Sequence, residues 1–198
     1  MKKNIDFNNK TILITGGAGF IGSNMAFYFQ ENFPESNLII FDCFRSNDKF
    51  PNGNLKSFGH YKNLIGFKGT IICGNINHKD DLNKLSEFKF DLIFHHAAIS
   101  DTRVYDQEIV MRTNLNSFYE LLKIAKKHNS VMVYASSAAT YGNLPSPQIE
   151  GNEMPVNPYG YSKLSMDQAA SRYALENPDF KIVGLRFFNV YGPGEFYK

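Results

Sequence analysis

The sequence predicts a doubly wound α/β fold on a parallel sheet. Three observations lead there: six short apolar runs, helical patterns in the intervals between them, and a glycine-rich turn directly after the first run. The runs are Thr11 to Thr15, Leu38 to Phe41, Thr70 to Cys73, Leu92 to Phe94, Val131 to Tyr134 and Ile182 to Leu185. Each is nearly continuous in apolar residues, the pattern of strands buried on both faces of a parallel sheet. Helices are expected at about 20–32, 79–88, 105–128 and 158–176, where crossovers must run, the last one after the turn signal Pro155-Val156-Asn157-Pro158. Between the second and third runs lies an insert, Phe44 to Lys68, without clear periodicity. A loop of that length is expected to serve function.

Composition narrows the classes. With 43% hydrophobic and 20% charged residues, the 198-residue chain can bury one full core, so one domain is expected. A net charge of +2 with dispersed basic residues gives no sign of a nucleic-acid or membrane partner. The polar start, Met1 to Lys10, lacks the apolar stretch of a signal peptide, and no window reaches the roughly 18 apolar residues of a membrane span, so a cytoplasmic location is expected. Cys43 and Cys73 are expected to be reduced core thiols rather than a disulfide or metal site.

The segment Thr15-Gly16-Gly17-Ala18-Gly19-Phe20-Ile21-Gly22 places glycines at 16, 19 and 22 between the first strand and the first helix. A bound pyrophosphate needs a tight turn, a backbone that can approach it closely, and a helix N-terminus whose free N–H groups face it. As a bare pattern such a turn needs no ligand, but Asp42 ends the second strand 20 residues after Gly22, where a carboxylate can bind the adenosine ribose of a dinucleotide. An acid there favours NAD over NADP, whereas Arg45 and Lys49 just beyond it would neutralise the additional phosphate of NADP, or simply belong to a solvated loop. The residues alone leave that choice open.

Tyr159-Gly160-Tyr161-Ser162-Lys163 puts a phenol and an ammonium four apart on one helical face. For Tyr159 to act as a base near neutrality its pKa must fall by about three units, worth roughly 4 kcal/mol, and a nearby lysine and oxidised nicotinamide are the expected source. Tyr161 lacks such a partner and is expected to pack or face solvent. Ser137, running off the carboxyl end of the fifth strand, can donate to the reacting oxygen or to Tyr159. Thr140 can reach the same area, and Ser136 better suits packing. His95 and His96 point to opposite faces of a strand and cannot share a metal. His96-Ala97-Ala98 is expected to meet the cofactor, with His95 packed inside, and His60, His78 and His128 are read as surface or loop residues.

Taken together, Gly16 to Ser23, His96-Ala97-Ala98, Ser136-Ser137 and Tyr159 to Lys163 resemble the extended short-chain dehydrogenase/reductases that modify sugar nucleotides, nearly end to end. More narrowly, Tyr134 to Gly142 and Val183 to Pro193 resemble the branch that inverts carbon 6 of a nucleotide-linked heptose. The resemblance implies a Rossmann-type NAD(P)-binding domain over residues 1–198, a substrate domain downstream that this chain lacks, and a cycle of oxidation and re-reduction with no net oxidation. It implies Ser137, Tyr159 and Lys163 as catalytic groups and Lys198 as a second acid/base group. Cofactor contacts carried over are Gly16, Gly19, Phe20, Ile21, Gly22, Asp42, Cys43, Arg45, Lys49, His96, Ala97, Ala98, Asn114, Tyr159, Lys163 and Val190. Ser137 and Asn189 would contact substrate. Lys49 read as a phosphate contact favours NADP, with NAD the alternative. A homo-oligomer with a nucleotide-sugar substrate is implied. The chain departs from the family pattern at Cys43, His96 and Gly194. Other readings are a UDP-hexose 4-epimerase, a GDP-heptose epimerase, or a dinucleotide-binding fragment without activity. Ala138-Ala139 stands where dehydratases place Asp-Glu, which argues against dehydration.

Overall fold

The structure, a computed structural model, describes residues 5–195. Six strands, β1 (Thr11–Thr15), β2 (Asn37–Asp42), β3 (Thr70–Cys73), β4 (Leu92–His95), β5 (Val131–Ser137) and β6 (Ile182–Phe187), form one sheet in the order β3-β2-β1-β4-β5-β6. Every pairing is parallel. Strand order reverses between β1 and β4, which opens a crevice at the carboxyl ends of the strands.

Alternation along each strand sends side chains to two cores. Ile12, Ile14 and Ile40 pack with Ala26 and Phe29 of helix α1 (Phe20–Asn32) on one face. Leu13, Phe41 and Met132 pack on the other with Phe118 and Leu121 of α4 (Ser117–His128) and Met166 of α5 (Pro158–Glu176). Burial on both faces, expected for all six runs, holds in the middle of the sheet and fails at its edges. Ile71 of β3 is 45% exposed and Val183 of β6 is 50% exposed, because an edge strand has a neighbour on one side only. β5 runs three residues further than its apolar stretch, since Ala135, Ser136 and Ser137 pair with Leu185, Arg186 and Phe187.

Local chemistry sets the helix ends. Asn157 accepts from the Gly160 N–H at 2.8 Å and Pro158 fills the first turn, so α5 begins there. Asn129 takes a left-handed conformation, φ 56°, and closes α4. Two expected helices are divided. Residues 79–88 form α2 (Lys79–Asn83) followed by a 3-10 turn, Lys84–Glu87. Residues 105–128 form α3 (Gln107–Met111), capped by Asp106, then a π turn, Arg112–Asn116, before α4. That wider turn carries Asn114 into the interior, where its amide accepts from Ile99 N–H at 2.8 Å and donates to Ile99 O at 3.0 Å and to Ser162 Oγ at 2.8 Å.

The insert is ordered by long-range contacts. Lys49 bridges antiparallel to Leu55, and Phe50 is buried against Ile99, Val104 and Val110. The amides of Asn52 and Asn54 donate to the Asp101 carboxylate, which also accepts from Arg103 N–H at 3.0 Å. No helix among the described residues is long and apolar enough to cross a membrane.

Candidate active site

A cleft of about 900 Å³ runs along the carboxyl ends of the strands. Its floor is the glycine turn. Gly16 has φ +70°, and a Cβ there would stand 2.7 Å from Ala97 N, so only glycine lets β1 turn beneath the His96-Ala97-Ala98 segment. The first turn of α1 has no side-chain cap and no acidic residue, which leaves its N–H groups and positive dipole end open to an anion. Phe20, Ile21 and Gly22 line the cleft beside Gly16 and Gly19.

Asp42 closes one end. Its carboxylate accepts from Ala18 N–H at 3.0 Å and from Phe44 N–H at 2.8 Å, tying the strand end to the glycine turn. Burial pushes this carboxyl up, while those two N–H groups pull it back. Cys43 lines the cleft next to it and Cys73 faces the same space, both free and exposed. This corrects the expectation of core thiols: the strands end at these positions, so the side chains open into the crevice.

At the other end stand Ser137, Tyr159 and Lys163, all lining the cleft. Lys163 is 2% exposed and donates to Ala135 O at 2.7 Å. Burial lowers its ammonium to about 8, opposed by the Asp167 carboxylate one turn on. The Tyr159 phenol is pushed up by burial, and its hydrogen bond with Ser137 works against that rise. The lysine lies 5.9 Å from the phenol ring centre. The expected lowering of Tyr159 is therefore not achieved by the protein groups alone. Ser137 Oγ also accepts from Ala139 N–H at 3.1 Å, which fixes the hydroxyl.

His96 stacks near Phe187, with both ring nitrogens buried and without a hydrogen-bond partner, and burial lowers it to about 4. His95 packs inside against Phe118, 2.7 Å from the Thr15 hydroxyl, and burial holds it well below its ordinary value. Asn189 and Val190 complete the wall.

Several sequence-predicted residues are not brought into this cleft. Thr140 is buried and donates to Ser137 O, so it supports the serine from behind. Asn114 is engaged by Ile99 and Ser162 instead. Arg45 is held through its backbone to Gly59, Lys49 is exposed on the insert's turn, and neither lines the cleft. Lys198 lies outside the described residues. Tyr161 is 55% exposed, as its lack of a lysine partner implies. Lys56 does line the cleft, although its aperiodic segment gave no signal for it; Asn75, just beyond β3, does so too, and the strand-end rule applied to the third run would have found it. Among the described residues no group of three or more His, Cys, Asp or Glu side chains can hold a metal.

Comparison with known proteins agrees with this geometry. The sequence matches the NAD dependent epimerase/dehydratase family over residues 12–198. It is similar to the solved ADP-L-glycero-D-manno-heptose-6-epimerase of Helicobacter pylori, with 50% identity and a TM-score of 0.88 over 98% of this chain and 60% of that one. It is similar also to a UDP-N-acetylglucosamine 4-epimerase from Methanobrevibacter ruminantium, at 27% identity and TM-score 0.79 over 94% of this chain and 57% of that one. A dTDP-glucose 4,6-dehydratase from Bacillus anthracis, solved with NAD, matches at 27% identity and TM-score 0.76 over the same shares of the two chains. The chain thus spans about three fifths of the length of these structures.

Proposed function

Since this chain belongs to the NAD dependent epimerase/dehydratase family, we propose that residues 1–198 are the dinucleotide-binding domain of an epimerase that inverts carbon 6 of ADP-glyceromanno-heptose, supplying the heptose of lipopolysaccharide. The observation that carries this reading is the 50% identity to the Helicobacter pylori heptose epimerase across 98% of the chain. The residues of the cleft fit a dinucleotide: a glycine cradle that a Cβ would fill, an uncapped helix N-terminus, and a carboxylate beyond it. NADP is the proposed cofactor, with NAD the alternative. When bound, its nicotinamide supplies a reversible hydride acceptor.

The chain's own groups then have distinct tasks. The glycine turn and the first turn of α1 bind the pyrophosphate, and Asp42 presents its remaining lone pairs to the ribose. Tyr159 exchanges a proton with the sugar hydroxyl that is oxidised, Ser137 hydrogen-bonds the same oxygen, and the Lys163 ammonium favours the phenolate. His96, Ala97, Ala98 and Val190 are proposed cofactor contacts and Asn189 a sugar contact. Lys198 is proposed as the second acid/base group needed to invert a centre. Ala138 and Ala139 follow Ser137 without the acidic pair a dehydration would use. The intact protein is proposed to be a cytoplasmic homo-oligomer.

The test is to incubate the intact protein with ADP-heptose, GDP-heptose and UDP-hexose and follow each sugar by NMR. Inversion at carbon 6 of the ADP-heptose is expected. Turnover of the UDP-hexose alone would overturn the assignment, and turnover of none would favour a binding domain without activity.

A further inference from the structure

Behind the Tyr159–Lys163 pair lies a charge network that the proposed reaction has not used. Helix α5 repeats its functional face every four residues, from Tyr159 to Lys163 to Asp167. The third of these meets β5 and β6. Asp167 Oδ1 accepts from the Tyr134 hydroxyl at 2.8 Å, and Oδ2 accepts from Ser136 Oγ at 2.9 Å and Arg186 Nε at 3.0 Å. Tyr134 and Ser136 flank Ala135, the residue whose carbonyl receives the Lys163 ammonium. A single carboxylate therefore grips the strand on both sides of the point where the lysine is anchored, two residues before Ser137.

The network continues outward. Arg186 forms an ion pair with Glu153 at 2.6 Å and lies 4.8 Å from the centre of the Tyr141 ring. Charges alternate along the line: Lys163 positive, Asp167 negative, Arg186 positive, Glu153 negative. Buried charges persist only when so compensated, and removing one member leaves its neighbours unpaired.

We propose that Asp167 is a positioning residue: its carboxylate registers the Tyr159–Lys163 face of α5 against β5 and supplies the counter-charge for Lys163. This inference rests on the reading of that pair as the reacting pair, but its test does not require turnover. The groups that face Lys163 are few. From α5 itself come Tyr159 and Asp167. From the end of β4 comes His95 and from the residue just beyond it His96, both kept uncharged by burial. From β5 comes the neutral carbonyl of Ala135, and from β6 Arg186 stands beyond Asp167. Asp167 is thus the one anion acting on the lysine from these elements, in accord with its opposing effect on the Lys163 ammonium.

The experiment is a side-chain NMR titration of Lys163 in the intact protein without nucleotide, with the signal assigned by its loss in Lys163→Arg. The wild-type amine is expected to titrate near pH 8. In Asp167→Asn the midpoint is expected about one unit lower, because an opposite charge favours the ammonium. Asp167→Glu is expected to return it toward the wild-type value. A residue that merely packed would leave this midpoint where it was, so an unmoved titration in folded Asp167→Asn overturns the proposal. Should that variant fail to fold, Glu153→Gln decides. It removes the outer anion, leaves Asp167 as the acidic partner of Arg186 among the described residues, and is expected to lower the Lys163 midpoint by a smaller amount, and no movement there overturns the proposal equally. Neither outcome depends on which sugar, if any, is epimerised.

Discussion

A Cβ on Gly22 would stand 2.4 Å from the carbonyl oxygen of Gly16. The two glycines form one unit, the first turning the chain out of β1 and the second letting α1 start directly against it.

Gly22→Ala should therefore damage the turn rather than the helix, despite alanine's better helix propensity. Forcing the Cβ into that space costs about 1–3 kcal/mol of stability, typical of overpacking. Dinucleotide affinity, measured by calorimetry, is expected to fall at least tenfold. Wild-type affinity in a folded Gly22→Ala protein would mean the anion sits elsewhere.

Tyr159→Phe keeps the ring and deletes the phenol. In the intact protein kcat is expected to drop by about 10² to 10⁴, the usual worth of a general acid/base group, with dinucleotide affinity changed by only a few fold. Retained activity would remove Tyr159 from the chemistry.

Lys163 makes stability depend on pH in a definite direction. Its ammonium is lowered from 10.5 to about 8, which corresponds to a folding penalty of roughly 3 kcal/mol at neutral pH. Between those two values the unfolded chain holds a proton that the folded chain has released, so stability from this group rises with pH through that window and the penalty is complete below it. Tyr159 acts oppositely: its raised phenol costs stability once the unfolded chain ionises, above its ordinary value of 10. Urea denaturation of wild type and Lys163→Met at about pH 7 and about pH 9.5 separates the two effects. The stability difference between them is expected to move in favour of the wild type at the higher pH. A difference that stays constant would show that the amine titrates alike in both states.

Asp101→Ala should release the insert without unfolding the sheet. The carboxylate holds the amides of Asn52 and Asn54, far from the main core. Trypsin cleavage at Lys49 and Lys56 is expected to accelerate several-fold while global stability falls by about 1 kcal/mol or less. Unchanged cleavage would assign the insert's order to its other contacts, the Phe50 cluster and the Lys49–Leu55 bridge.

How much could be read from residues alone varied with the range of the forces involved. The interiors of β1, β2 and β4 were legible because apolar runs report burial directly, and α5 was legible because Asn157 and Pro158 state its start. Tyr159 and Lys163 were legible because their relation is local, four residues on one helix. The edge exposure of β3 and β6 was not, since strand order is a tertiary fact. Nor was the π turn at Asn114, whose partners Ile99 and Ser162 are remote in sequence. Arg45 and Lys49 were read toward the cofactor, but they belong to an insert whose course is set by docking on Asp101. Asp167 stood in plain view four residues after Lys163, yet its meaning depended on the β5–β6 register that delivers Ser136 and Arg186 to it.

The clasp between Asp101 and the two asparagines also bears on traffic through the crevice. An ordinary dehydrogenase must discharge its spent coenzyme after every cycle, and a strap across the binding groove would throttle it. In the proposed chemistry the coenzyme finishes each round in the form in which it began. The insert, whose Ser46, Phe50, Lys56 and Phe58 line the cleft, can then stay clasped from one round to the next, so that a half-reacted sugar is not stranded by an early departure of the coenzyme.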